Sequence, residues 1–136
     1  MENISKHLSY KEATHSNTAK ARKIDNTPSP DTLVKMKYVA ENVFEPLREW
    51  YDSPIYINSF YRSEELNYAI RGAKNSQHKK GEAIDISAGS ATENKKLFDW
   101  IAENLEYDQL INEYGYKWIH VSLKMSNNRM MKFDIK

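Results

Sequence analysis

The chain has 136 residues, no cysteine, and 20 Lys and Arg against 19 Asp and Glu. The absence of cysteine excludes a disulfide framework and a thiolate metal site, so any metal must be held by histidine and carboxylate side chains. A net charge of +1, with no concentrated basic stretch, argues against a nucleic-acid partner. The length predicts a single domain, with a polar lead-in at residues 1–28 and a core at residues 29–125.

The first half of the chain shows helical apolar spacing interrupted by proline and glycine. Ser9 and Glu12 have the spacing of a capping box, and Ser29 followed by Pro30 is typical of a helix start. Pro46 is expected to kink or divide the helix that starts at Pro30, because its ring removes a backbone hydrogen bond. The predicted elements are a short helix within residues 10–23, a loop at 26–30, an amphipathic helix over 30–50, a strand over 54–59 and a short helix from Ser63 to Gly72.

The second half predicts three strands and one helix. Residues 83–87 alternate β-branched and small side chains and predict a strand, and Ser90 with Glu93 predicts the capping box of the following helix. Residues 108–113 and 118–123 predict two strands joined by a tight turn. Because the helices come first and the hairpin last, we expect an α+β fold with a largely antiparallel sheet.

A short stretch around Gly81 contains two side chains that can bind a metal. In SQHKKGEAIDIS, residues 76–87, His78 precedes the glycine and Asp85 follows it. The glycine and the β-branched residues disfavour a continuous helix. A turn at Gly81 lets the chain double back, which places Asp85, in the middle of the next strand, near His78.

The final hairpin supplies a second imidazole. A four-residue connection pairs Glu113 with Trp118 and Ile111 with His120, which puts Glu113, Trp118 and His120 on one face. Two imidazoles and one carboxylate leave the fourth position of a zinc ion open for water, as in catalytic zinc sites. Glu113 has the chemistry of a general base for that water.

The motifs SxHxxGxAxD at residues 76–85 and WIHVS at 118–122 resemble the zinc D-Ala-D-Ala carboxypeptidase family. Its relatives include vancomycin-resistance dipeptidases, phage L-Ala-D-Glu endolysin peptidases and the hedgehog signalling domain. The resemblance spans roughly residues 7–125 and implies the hedgehog/DD-peptidase fold, with helices packed mainly on one face of the sheet. Four further segments are similar to the small single-domain branch common in phages and prophages: IDNTP (24–28), EPLR (45–48), INSFYRSEELN (57–67) and AKNSQH (73–78).

The resemblance assigns roles to individual residues. It implies Zn2+ as the cofactor, held by His78, Asp85 and His120. Arg62 matches the arginine that holds a substrate carboxylate or the developing oxyanion, a task suited to a planar and permanently charged guanidinium. Ser76 matches a hydroxyl that contacts the substrate.

Five other positions carry open or divergent assignments. The general base is Glu113 or Asp108, and the alternation of faces favours Glu113. Tyr61 and Trp118 either line the substrate groove or belong to the core. Phe60 stands where the family leads us to expect a glycine, and its bulk is expected to narrow the groove or displace the neighbouring arginine.

These features favour a zinc peptidase that hydrolyses an amide bond in peptidoglycan stem peptides, as a D-Ala-D-Ala carboxypeptidase or as an endopeptidase. The alternative is a non-catalytic binding module that retains the metal. An iron oxygenase is disfavoured, because its first histidine and its acid usually lie two positions apart. His7 and His15 are predicted to be ordinary polar residues.

We also expect a monomer whose partner is a peptidoglycan peptide. The N-terminal residues MENISKH lack the apolar core of a signal peptide, and no run of eighteen apolar residues occurs. We therefore expect no membrane insertion, and a cytoplasmic location until release to the cell wall during phage or prophage lysis.

Overall fold

The computed structural model describes residues 2–136 and confirms the α+β class. Within these residues the main sheet has five strands in the order β3-β4-β6-β5-β7, and β1 and β2 form a separate two-stranded sheet. The strands are β1 (Asn3–Ser5), β2 (Leu8–Ser9), β3 (Tyr56–Ser59), β4 (Ala83–Ser87), β5 (Gln109–Glu113), β6 (Trp118–Ser122) and β7 (Met131–Ile135). The helices are α1 (Tyr10–Thr14), α2 (Asn17–Arg22), α3 (Pro30–Val39), α4 (Glu45–Tyr51), α5 (Glu64–Ala69) and α6 (Ala91–Asn104).

The N-terminal segment, predicted as a polar lead-in, contributes to the main hydrophobic core. Ile4, Leu8 and Ala13 are buried there beside side chains from the long helices. The predicted capping box is present, with the Glu12 amide donating to Ser9 Oγ at 3.0 Å. Where the sequence predicted one short helix, two form, α1 and α2, because the chain is extended between them at residues 15–16.

The long helix predicted over residues 30–50 is divided by a π-turn at Ala40–Phe44. Here the Glu45 amide donates to the Ala40 carbonyl, five residues back. Pro46 lies in the first turn of α4, where a missing N–H costs little. The predicted division therefore occurs, in the form of a wider helical turn just before the proline.

The sheet register agrees with the prediction from the hairpin. Glu113 lies opposite Trp118 and Ile111 opposite His120 in the antiparallel pairing of β5 and β6. Strand β4 pairs with the other side of β6, which sets Asp85 opposite His120. One face of the sheet therefore packs on the helices, and the other carries the polar side chains of these three strands.

Strand β7 is an addition that the sequence analysis did not anticipate. It pairs in parallel with β5 and forms one edge of the otherwise antiparallel sheet, with Ile135 opposite Glu113. All five of its residues are exposed, so it adds an edge rather than core. Among residues 2–136, no helix combines the length and the apolar character needed to cross a bilayer.

Candidate metal centre

His78, Asp85 and His120 come together in the structure as the spacing predicted. Each offers one ligand atom, and these atoms lie within 4.8 Å of one another. His78 lies in a single 3₁₀ turn, Gln77–Lys80, that ends at Gly81 with φ of +72°. Glycine adopts this left-handed conformation without strain, so the chain can turn directly from His78 into β4.

The His78 ring is fixed by a hydrogen bond to the backbone. Its Nδ1 lies 2.7 Å from the Phe60 carbonyl oxygen, which can only accept, so Nδ1 carries the proton. Nε2 is buried and has no hydrogen-bond partner among the described residues. It lies 3.2 Å from Asp85 Oδ2, but without hydrogen-bond geometry. A buried imidazole nitrogen with an unused lone pair, close to a carboxylate, is suited to bind a metal ion.

Asp85 is the centre of the group. Its Oδ1 lies 3.0 Å from His120 Nδ1, and its Oδ2 lies 3.4 Å from Arg62 Nη2. Burial by itself would raise the pKa of Asp85, but the neighbouring His78 and His120 hold that pKa below its ordinary range. The carboxylate is therefore ionised and, with two imidazoles, forms a donor set suited to zinc.

Arg62 is held at the centre by its own backbone and by two polar side chains. The Arg62 amide donates to the His78 carbonyl at 3.1 Å, which ties the two residues together. Its Nε donates to Ser59 Oγ at 3.0 Å, and Nη1 lies 3.5 Å from Asn67 Oδ1. Burial lowers the pKa of Arg62, while Asp85 opposes that change, and the guanidinium stays charged.

Glu113 lies in the same cleft as the two histidines. Trp118 Nε1 donates to Glu113 Oε2 at 3.0 Å and orients the carboxylate. Burial, and next the charge of Asp85, raise the pKa of Glu113, whereas His120 and the Trp118 hydrogen bond act in the opposite direction. A carboxylate with a raised pKa is suited to accept and return a proton near neutral pH.

Asp108, the other carboxylate considered as a base, is occupied elsewhere. It is fully buried and accepts from Arg129 Nη2 at 2.6 Å, from Arg129 Nε at 3.0 Å and from the Arg129 amide at 2.9 Å. The hydrogen bonds from Arg129 lower the pKa of Asp108 to about 2, although burial opposes them. This group is a structural anchor for the segment before β7.

Two clefts flank the candidate centre and share Arg62, Asp85 and Trp118 as lining residues. We call them the Tyr61 cleft, of ≈ 340 Å³, and the Glu113 cleft, of ≈ 420 Å³. The Glu113 cleft also contains Ser76, His78 and His120. Tyr61, Ser76 and Trp118 therefore all line a cleft, and their contact with substrate stays a prediction.

Phe60 does not have the effect expected from its size. Its side chain is 1% exposed and packs in the hydrophobic core, so the predicted narrowing of the groove is wrong. The pairing of β3 with β4 shifts register between Ile57 and Ser59, which breaks the alternation that would have turned Phe60 toward the cleft.

Sequence reasoning missed two residues near the centre. His15 lines the Tyr61 cleft. It was predicted to be an ordinary polar residue because its segment has weak apolar periodicity. Asn26 bridges separate segments, donating to the Thr14 and Tyr61 carbonyls at 2.9 and 3.1 Å and accepting from the Ser63 amide at 2.7 Å. It thereby fixes the turn that presents Arg62. The only signal for Asn26 was its place in the IDNTP segment.

His7, predicted to be an ordinary polar residue, lies away from the clefts. Its Nδ1 contacts Glu45 Oε1 at 2.7 Å, and its amide donates to Glu45 Oε2 at 2.9 Å. This pair joins the N-terminal segment to α4 and adds nothing to the metal centre.

Comparison with known proteins gives a family for this arrangement. Residues 6–122 match the model of the family described as Peptidase M15, and a search of curated proteins gives no match. The matched residues are most of the chain and include the histidines and the aspartate of the candidate centre, whereas β7 lies beyond them. The chain therefore belongs to the Peptidase M15 family, a family of zinc peptidases.

Proposed function

We propose that this protein is a zinc-dependent peptidase that hydrolyses an amide bond in the stem peptides of peptidoglycan. The observation that supports it best is the convergence of His78, Asp85 and His120, within 4.8 Å, on a cleft that also holds Glu113. A binding module has no need of a partly buried carboxylate beside its metal ligands.

His78, Asp85 and His120 would hold the zinc ion, with His78 Nε2 as the donor left free by the ring's hydrogen bond to Phe60. Zinc in such a site polarises the scissile carbonyl and lowers the pKa of a bound water. The chain's own contribution is to keep these donors in a fixed tautomer and a fixed position.

Glu113 acts as the general base. It takes a proton from the attacking water and afterwards gives it to the leaving amine. Burial keeps its pKa above the ordinary glutamate range, and Trp118 fixes the direction of its carboxylate. Asp108 is not available for this step, because Arg129 occupies both of its oxygens.

Arg62 binds the substrate carbonyl oxygen or a nearby carboxylate. It lines both clefts and is positioned by Ser59 and by the His78 carbonyl. Charge-assisted hydrogen bonds from a preorganised guanidinium stabilise an oxyanion far better than solvent does. Ser76 and Tyr61 contact the substrate on the two sides of this arginine.

The two clefts favour cleavage within a peptide over removal of its last residue. A carboxypeptidase needs room for one residue beyond the scissile bond, whereas Asp85 lines two clefts here. We therefore propose an endolysin-type endopeptidase, and we keep the monomer acting on the cell wall in a phage or prophage setting as a proposal from the sequence.

Digestion of purified peptidoglycan by the zinc-loaded protein tests this proposal. New peptide termini, identified by mass spectrometry, should appear with the wild-type protein and disappear after chelation or in Glu113→Gln. Glu103→Gln, on the exposed side of α6, is the matched control and should retain activity. If zinc binds stoichiometrically and no fragments appear, the protein is a binding module instead.

A further inference from the structure

Strand β7 lies outside the residues that match the family, yet it contributes to the Glu113 cleft. The family match ends at residue 122, and β7 comprises Met131–Ile135. Both Ile135 and Arg129, just before the strand, line the cleft together with Glu113 and His120. This part of the cleft is therefore a feature of this chain and not of the matched region.

The parallel register determines which side chains of β7 face the substrate. Met131, Phe133 and Ile135 lie opposite Gln109, Ile111 and Glu113, so these alternate residues share the face that carries the candidate base. The intervening Lys132 and Asp134 lie on the other face. Apolar side chains of β7 thus extend the face of the sheet that carries Glu113 as far as the sheet edge.

The strand is anchored at both ends. At its start, Arg129 binds the buried Asp108 through its guanidinium and its amide, and the Met131 amide donates to the Asp108 carbonyl at 3.0 Å. At its end, the Tyr114 amide donates to the Ile135 carbonyl at 2.8 Å, one residue from Glu113. When β7 is paired with β5, these contacts set the position of Ile135 relative to the base.

Ile135 remains available for contact with a ligand. Its side chain is 37% exposed, whereas its cleft neighbour Ile111 is 6% exposed. Together with Trp118 and Ala73 they give the Glu113 cleft its apolar lining, and Ile135 lies opposite the candidate base Glu113 in the strand register.

We propose that β7 is a specificity wall, in which Ile135 contacts an apolar side chain on the amine side of the scissile bond. This inference rests on the proposed peptidase function. The substrate chemistry is a peptide with an apolar residue at that position, because the exposed side chain of Ile135 is apolar and the strand is held close to Glu113.

Steady-state kinetics with paired synthetic peptides test the wall. The peptides carry alanine or glycine on the amine side of the bond and are otherwise identical. Ile135→Ala should reduce kcat/KM for the alanine peptide by about tenfold, mainly through KM, and should shrink the preference over glycine. Lys132→Ala, on the opposite face of the same strand, is the matched control and should stay within about twofold, as is usual for exposed side chains.

Binding measured by calorimetry in a zinc-loaded Glu113→Gln background separates this inference from the proposed function. If the peptide is hydrolysed but Ile135→Ala and Lys132→Ala behave alike, the wall is overturned and the peptidase stands. If the peptide binds to the Glu113→Gln protein, is not hydrolysed by the protein with Glu113 intact, and only Ile135→Ala weakens its binding, the wall stands and the peptidase fails. Absence of both binding and hydrolysis overturns both.

Discussion

Asp85 lies directly opposite His120 across β4 and β6, and their side chains meet at 3.0 Å between Oδ1 and Nδ1. The other carboxylate oxygen lies 3.2 Å from His78 Nε2 and 3.4 Å from Arg62 Nη2. One buried carboxylate therefore connects both imidazoles with the guanidinium that flanks them.

Replacement of Asp85 by asparagine should remove high-affinity zinc binding. The loss should exceed the about 10- to 100-fold that removal of an outer partner of a metal ligand causes. Zinc should raise the thermal midpoint of the wild-type protein, because a ligand that binds only the folded state stabilises it, and should leave Asp85→Asn unchanged. Calorimetry and thermal unfolding check both effects. His7→Ala serves as the control, and equal zinc affinity in all three proteins would contradict the assignment.

Gly81→Ala should destabilise the protein more than Gly115→Ala. Both glycines have similar positive φ, +72° and +69°, so each substitution incurs a left-handed penalty of about 1–2 kcal/mol. Only at Gly81 would the added Cβ lie 2.7 Å from Met36 Cγ and 2.9 Å from the Thr32 carbonyl oxygen, which adds about 1–3 kcal/mol. Urea unfolding measures the difference.

Zinc affinity provides a second measurement that distinguishes the two glycine variants. Gly81→Ala should also weaken zinc binding, because the displaced turn carries His78, whereas Gly115→Ala should not. Equal destabilisation in the two variants would show that the packing of the turn on α3 is unimportant.

Trp118→Phe should lower kcat by about tenfold, the cost of losing one hydrogen bond to a charged group. The Trp118 hydrogen bond lowers the pKa of Glu113, so its removal should raise that pKa and move the acidic limb of the pH–rate profile to higher pH. Zinc content should not change. Trp100→Phe is the control, since Trp100 stacks on Trp50 at a ring distance of 5.1 Å, away from both clefts. An unshifted acidic limb would rule out this positioning role.

Asp108→Asn should cost about 2 kcal/mol of unfolding free energy at pH 7, since hydrogen bonds to a charged group are lost. The pKa of Asp108 is about 2 in the folded protein against an ordinary 3.8, so its contribution is full above pH 3.8 and is lost as the pH falls toward 2. Urea unfolding of metal-free protein across this range should show the difference shrinking.

The matched control for that measurement is Asp99→Asn. Asp99 forms an exposed pair with Lys95 at 2.7 Å, and such solvent-screened pairs contribute little to stability. A difference between wild type and Asp108→Asn that stays constant down to pH 2 would mean that the ionised carboxylate is not the source of the stability.

The metal centre was predictable because its residues occupy positions with local rules. The turn at Gly81 fixes His78 relative to Asp85, and the hairpin connection fixes the face of His120. These are short-range relationships. The pairing of β4 with β6 then brings Asp85 and His120 together. The family model adds an independent match over the same residues.

The features that the sequence did not predict depend on long-range packing. Phe60 was expected to narrow the groove or displace Arg62, but a register shift in β3 turns it into the core, and no local pattern signals such a shift. β1 and β2 have three and two residues, which is too short to show a period. β7 does alternate apolar and polar residues, yet its partner β5 is separated from it by the whole of β6.

That separation has a consequence for the order of folding. β5 and β6 are joined by a short turn and can pair within microseconds, whereas β7 must close a longer loop before it gains any contact. As an exposed edge it should also detach first, so its backbone amides should exchange with solvent faster than those of β6. The wall of the cleft therefore assembles last and frays first, while Asp85 and His120 stay together on strands already paired and His78 stays in the turn that leads into β4.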